Sequence, residues 1–310
     1  MEVRMQGDMI ELTSTRLWHE VQKNLIYRRG AHILGLGQTD TGKSNKGFSI
    51  NHWLYESGET LGIMDCGKPG EVLPYATFGA PLNFIIPSGC DVHVTNSPVP
   101  IHKEYVETPE LSWHVTKKGM INIYTFREHI LDDLTIGEYA SRFVDVLAKQ
   151  VMRNMIEIPM PFCLDVDECS DIIPAYGLIE NKYQKETASR FSRVLKKIRY
   201  LGIRVHAKDQ AWGDVYPNAR RQFAFLLLSR SPGTEGKTDV GVIKRYGFEG
   251  LRIDQARMVF PQRNWWGDWS FDRVMAPEGM HIEYEGEVYW PRSRHKKSGD
   301  YKFINEGATS

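Results

Sequence analysis

Cysteine is scarce: four residues in a chain of 310, at Cys66, Cys90, Cys163 and Cys169. They form no C-x-x-C pair and have no metal-finger spacing, which argues against a disulfide framework or a structural zinc site. Reduced, buried thiols in an intracellular protein are the reading they support. Net charge is also missing, with Lys+Arg and Asp+Glu both at 39. The chain as a whole therefore has no pull towards nucleic acid or an anionic membrane, and any basic contact surface must be local. Long apolar runs are absent, and a mean hydropathy of -0.41 agrees, so a membrane-spanning helix is not expected. The opening residues, MEVRMQGDMIELTSTRLW, lack the apolar core and cleavage site of a secretory signal. Repeats and low-complexity tracts are missing too. What remains is an ordinary globular composition, 41% hydrophobic and 25% charged. It suffices for one sizeable core, or one core with a small appendage.

Against that plain background one stretch stands out, GQTDTGKS. It fits G-x-x-x-x-G-K-[ST] in full, through Gly37, Gln38, Thr39, Asp40, Thr41, Gly42, Lys43 and Ser44, and reads as a loop that binds the phosphates of a nucleotide, ATP being the expected one. Glycines permit the conformation in which successive backbone N–H groups turn inward around phosphate oxygens. Lys43 is placed to reach the β- and γ-phosphates, and the Ser44 hydroxyl to sit on Mg²⁺. The apolar run over 32–36 suits a buried strand, and 45–55 reads as a helix with Phe48, Trp53 and Leu54 for packing. Strand, glycine loop and helix are the arrangement this chemistry needs, because the helix N-terminus adds its own partial positive charge.

Taken in order, residues 1–30 are a mixed lead-in with an amphipathic turn over 17–27 and the pair Arg28-Arg29. A core domain is expected over 31–230. Within it, strands are expected at 60–64, near 83–86, at 119–126, 161–168, 203–210 and 223–229. Prolines and glycines break the reach up to about residue 115, so 88–118 reads as an irregular insertion. Helices are expected over 135–155, where apolar residues recur at helical spacing, and over 180–200, which is strongly basic. This alternation argues for an α/β fold with a mainly parallel sheet. From residue 231 the texture changes to a turn-rich link, then short alternating runs at 240–246, 251–260 and 281–290, the tryptophans Trp265, Trp266 and Trp269, and a basic tail. A small β-rich C-terminal appendage over 231–310 is the expectation.

Four signals carry the chemistry. The loop is the first. The second is FCLDVDE, an apolar strand that ends in acids. Asp167 suits a Mg²⁺ contact and Glu168 a base that polarises the attacking water. Asp165 alternates onto the same side as Asp167 and stays open as the metal contact. Third is Gln210, at the tip of the following strand, where it can meet the γ-phosphate or the lytic water. Fourth are arginines that can stabilise transition-state charge from a neighbouring subunit: Arg190 and Arg193 on the basic helix, and Arg220 and Arg221 beyond the glutamine strand.

The succession of GQTDTGKS, a strand ending in MDCGKPGE, the FCLDVDE strand and the strand ending in Gln210 resembles the FtsK–HerA superfamily of DNA-pumping ATPases over roughly residues 30–230. Asp65, Gly67 and Lys68 approximate that family's turn after the second strand. The resemblance implies a RecA-like P-loop NTPase core, ATP and Mg²⁺ as cofactors, a homo-oligomeric ring of six or five subunits, and double-stranded DNA threaded through it. The basic helix, the 88–118 insertion with His93, His102 and Lys103, and the basic tail are the candidates to grip phosphates. Lacking an anchor, an N-terminal barrel and a winged helix, the chain looks most like a viral genome-packaging ATPase. That narrower likeness implies a portal or capsid component as partner and the host cytoplasm as location. Other P-loop ATPases (helicase, recombinase, conjugation-type) are the enzymatic alternatives, and a nucleotide-dependent scaffold or switch is the alternative of a different class. No N-K-x-D tetrad reads guanine, and Asp268, Asp272, Glu283 and Glu285 are too scattered for a metal nuclease.

Overall fold

The computed structural model describes residues 5–6, 9–38, 40–65, 70–126, 158–179, 182–230 and 251–288, with positions 129, 140, 142–144, 146, 147 and 149, and only the backbone at 5–6, 182–184 and 187. Thr39, the 66–69 turn with Gly67 and Lys68, the 231–250 link with its expected strand, and the basic tail lie outside these residues. So does most of the helix expected over 135–155, although its described positions are helical.

The lead-in contributes two short strands, β1 (Met5–Gln6) and β2 (Met9–Glu11), then helix α1 (Ser14–Val21), which continues as a wider π turn over Gln22–Ile26. Leu17, Val21 and Leu25 are its buried stripe. Strand β3 (His32–Leu36) enters the loop, and α2 (Lys43–Glu56) leaves it. Then come β4 (Thr60–Met64), β5 (Leu82–Pro87), β6 (Asp91–Thr95), β7 (Ile101–Val106), β8 (Ile121–Tyr124) and β9 (Phe162–Val166). Helix α3 (Lys182–Ile198) leads to β10 (Ile203–Asp209), and the short α4 (Pro217–Arg220) to β11 (Phe223–Ser229). Strands β12 (Gln255–Phe260), β13 (Trp265–Ser270) and β14 (His281–Glu285) complete the described elements.

Twelve of these strands form one sheet in the order β1-β2-β13-β12-β11-β3-β10-β9-β4-β8-β5-β7. From β11 to β7 every pairing is parallel, as the apolar runs predict, because parallel strands are covered on both faces. Two apolar clusters lie on the two faces. Phe48, Ile50 and Leu54 of α2 pack with Ile33, Ile63 and Cys163. Phe191, Val194, Leu195 and Ile198 of α3 pack with Leu34, Leu164 and Val205 on the other side. Each such side chain, taken from water to full burial, contributes roughly 1.5–3 kcal/mol.

Two expectations about the periphery change. The 88–118 reach is not irregular. It supplies β6 and the edge strand β7, whose exposed Tyr105 and half-buried Lys103 and Glu104 suit a strand with one free edge. It also supplies Trp113, fully buried and stacked on Phe143 at 3.8 Å. Proline and glycine there end strands rather than prevent them. The C-terminal segment is β-rich, as expected, but is built into the main sheet: β12 pairs antiparallel with β11, and β13 with β12. Strand β12 carries apolar residues on both sides, Ala256, Met258 and Phe260 towards one cluster and Val259 towards the other, which suits a covered position. Strand β14 pairs with β6 in a separate two-stranded sheet. No helix among the described residues is long and apolar enough to cross a membrane.

Candidate nucleotide site

The loop sits where β3 ends, at the C-terminal edge of the parallel strands, the edge at which open α/β sheets bind ligands. The Gly37 N–H donates to the Asp209 carbonyl (3.2 Å), fixing the exit from the strand. Thr41 closes the loop on the Gln38 carbonyl through its hydroxyl (2.7 Å) and its N–H (3.3 Å). Gly42 has φ +74, and a Cβ there would meet the Ile253 carbonyl oxygen at 2.9 Å, so the position accepts only glycine comfortably. Helix α2 starts at the next residue and aims its N-terminal partial charge at the loop. The buried Lys46 ammonium holds the Thr41 carbonyl at 2.7 Å, and burial, opposed by Asp254, lowers its pKa to about 8. Asn45 joins this first turn to the C-terminal segment, donating to the Asp272 carbonyl (2.8 Å) and accepting from the Val274 N–H (2.5 Å).

One strand, β10, separates β3 from β9, and the acids at the tip of β9 face the loop across it. Lys43 Nζ lies 4.0 Å from Asp167 Oδ1. Glu168 follows in a left-handed conformation, φ 44 and ψ 55, with its N–H on Asp167 Oδ1 at 3.0 Å. Such backbone is costly for a residue with a side chain and concentrates at functional sites. The turn that holds it is fastened to β10. Asp209 Oδ2 accepts the Ser170 N–H (2.7 Å) and the Cys169 thiol (3.4 Å), while Oδ1 accepts the Gln210 N–H (2.8 Å).

Beneath the tip lies a polar layer buried between β10 and α2. Alternation along IRVHAKD sends Ile203, Val205 and Ala207 into the α3-side cluster and Arg204, His206 and Lys208 to the α2 side. Arg204 is fully buried with Glu59, in a two-pronged ion pair at 2.7 and 3.1 Å. His206 Nδ1 bonds Asn51 Oδ1 at 2.8 Å, and burial lowers its pKa to about 4. Asp165 Oδ2 accepts from Tyr75 (2.5 Å), Asn51 (2.6 Å) and Lys208 (3.1 Å). Burial opposes the charge on Asp165, but Lys208 outweighs it and holds the carboxyl below its usual range. Asp165, 1% exposed, thus has Oδ2 occupied by the protein's own donors, while its buried Oδ1 has no hydrogen bond among the described residues. Asp167, beside Lys43, is the β9-tip acid that lines the cleft, together with Ser44, Asp65, Glu71, Tyr75 and Lys208. A serine hydroxyl and one carboxylate are hard oxygen donors that fit Mg²⁺, whose remaining positions are ordinarily taken by phosphates and water.

The loop, Asp167 and Glu168 are therefore brought together. Gln210 is exposed just past the tip of β10. The four arginines are not at the loop of their own chain. Arg190 and Arg193 are on the exposed side of α3, across the sheet from α2, and Arg221 is exposed just before the N-terminal end of β11. Arg220 donates to the Trp212 carbonyl (2.8 Å) and lies over its ring. Sequence reading missed Asn51, Tyr75, His206, Lys208 and Asp209. The available signal was the run of polar residues at alternate positions of a strand whose other side is apolar.

No protein-family profile matches the chain, and no curated protein sequence matches it. Solved structures do. The bacterial conjugative coupling protein TrwBdeltaN70 is similar over 88% of this chain and 93% of its own, with 12% identity and a TM-score of 0.55. The genome packaging NTPase B204 from Sulfolobus turreted icosahedral virus 2, in complex with ATP-γS, is similar over 79% of this chain and 98% of its own, with 10% identity and a TM-score of 0.49. The interposed strand, the glycine loop and acids on one sheet edge, and the match to the coupling protein give this chain a RecA-like P-loop α/β fold.

Proposed function

We propose that the chain is a Mg²⁺-dependent ATPase motor that translocates double-stranded DNA. The observation that carries the ATPase reading is the convergence of Lys43 and Ser44 with Asp167 and Glu168 at one sheet edge, Lys43 and Asp167 lying 4.0 Å apart. The loop N–H groups and Lys43 hold the triphosphate, the Gln38–Thr41 turn shapes the loop, and Ser44 with Asp167 holds the ion. Bound there, Mg²⁺ would neutralise charge on the phosphate oxygens. Glu168 orients and polarises the water, from a turn held by Asp209. Gln210, at the tip of the same strand, reports nucleotide state.

The DNA reading rests on the sequence resemblance and on a fold shared with a conjugative coupling protein. In this account subunits form a hexameric or pentameric ring in the cytoplasm, and Arg190, Arg193, Arg220 or Arg221 serves a neighbour's site, since none lies at its own loop. Packaging of a viral genome, with a portal or capsid component as partner and the host cytoplasm as location, is the narrower form of the proposal.

The test is a pair of variants. Lys43→Ala should lose nucleotide binding in a fluorescent-ATP titration. Glu168→Gln should bind ATP within a few-fold of wild type and lose about 100-fold or more of its turnover, the range expected for a missing general base. Substantial hydrolysis by the glutamine variant would sink the assignment.

A further inference from the structure

We propose that Lys208 is a second phosphate-contacting cation of the site, reaching the terminal phosphate of ATP from the same chain. The inference rests on the nucleotide-site reading and names a group the sequence motifs do not include. Register places it. Lys208 pairs with Gly35 of β3, and its neighbour Ala207 with Val166 of β9. The side chain therefore rises between the glycine loop and the acid tip, at the height of both. It lines the cleft with Ser44 and Asp167.

The surroundings are built to let it through. Its stem runs between two glycines: a Cβ on Gly47 of α2 would stand 3.0 Å from Lys208 Cδ, and one on Gly35 would stand 3.4 Å from Cγ. Glycine inside a helix is destabilising relative to alanine. At Gly47 the missing side chain makes room for the lysine. Two carboxylates, Asp165 at 3.1 Å and Asp167 at 3.9 Å, stand against the ammonium and offset the cost of burying its charge.

An ammonium has three donors. Asp165 Oδ2 takes one of them and keeps the Tyr75 and Asn51 donors as well, so that oxygen still has two partners when Lys208 turns to an anion. ADP lacks the oxygens it would meet. Lys208 accordingly favours ATP over ADP and offsets charge on the transferring phosphoryl group.

The experiment measures ADP and a non-hydrolysable ATP analogue separately, with Mg²⁺ and with EDTA, by competition against a fluorescent nucleotide. For Lys208→Gln, affinity for the analogue should fall about tenfold or more, the cost of losing one charge-assisted hydrogen bond. Affinity for ADP should stay within about threefold on the same scale. Lys208→Gln/Asp165→Asn removes the unpaired buried charge and should show the same selective loss. Gly47→Ala crowds the stem with the ammonium intact and should reduce the preference for the analogue in part.

Equal weakening of both nucleotides, or none, would show a structural counter-ion and overturn the proposal. So would a double variant in which discrimination returns. If wild-type protein binds neither nucleotide, the site reading falls and takes this proposal with it.

Discussion

Asp209 shows how one side chain can set the geometry of several others. Its carbonyl holds Gly37, at the mouth of the loop, and its carboxylate holds the turn behind Glu168 and the backbone of Gln210. Burial raises its pKa against the pull of the Ser170 N–H. In the proposed reaction no bond changes at Asp209, so its part there would be to position the others. Asp209→Ala should lower kcat about 10- to 100-fold, the scale of a misplacement near 1 Å, with the KM for ATP within about threefold. Asp209→Asn, which keeps an acceptor, should recover much of the loss. A steady-state kinetic comparison checks this, and a variant with unchanged kcat would remove the role. At this scale the sequence was legible where residue type and spacing are dictated by phosphate chemistry, as in Gly37 to Ser44 and Asp167-Glu168. Asp209 and Lys208 were illegible because their value depends on what stands opposite them on β9, β3 and α2, and spacing along the chain does not reveal that.

At the scale of elements, β10 is two strands in one: apolar towards α3 and ionic towards α2. The ionic side is buried, with Arg204, His206 and Lys208 at 0, 0 and 5% exposure. Such a layer makes stability depend on pH. Burial lowers the pKa of both His32 and His206 from 6.5 to about 4. Between those values the unfolded chain binds more protons than the folded one. Stability is therefore complete above about pH 6.5 and is lost as pH falls towards 4. Each histidine should account for about 2 kcal/mol between pH 7 and pH 5. Glu59, whose pKa is raised by burial against Arg204, works with the opposite sign, but it is common to wild type and variant and cancels in their difference. Urea unfolding at the two pH values should show a smaller loss for His206→Asn than for wild type; equal losses would contradict the assignment. Strands with continuous apolar runs, such as β3, β4 and β11, were readable from sequence because burial on both faces leaves that mark. Strands β6 and β7 were not, because charged edges and flanking prolines hide the pattern. The pairing of β12 with β11 is a contact across a long gap in the chain.

For the whole molecule, the sheet order explains why the loop and the acid tip meet although more than a hundred residues separate them in sequence. It also places the candidate arginines away from their own loop, so any part they take in hydrolysis would be at a neighbouring subunit's site. A net charge of zero means that a DNA contact would be a local patch, and the exposed Arg190, Arg193, Lys196 and Lys197 on α3 supply one candidate. Binding through such a patch should be sequence-independent and should weaken as salt rises. The resemblance read from the motifs reached this fold, but strand order and the polar layer under α2 needed the structure. The most direct measurement is steady-state ATP turnover with and without long duplex DNA, at low and high salt, beside the Glu168→Gln variant. The account predicts turnover that rises with duplex DNA, loses that rise in high salt, and is absent from the variant. Turnover indifferent to duplex DNA, stimulation by single strands alone, or nucleotide binding with no turnover would contradict it.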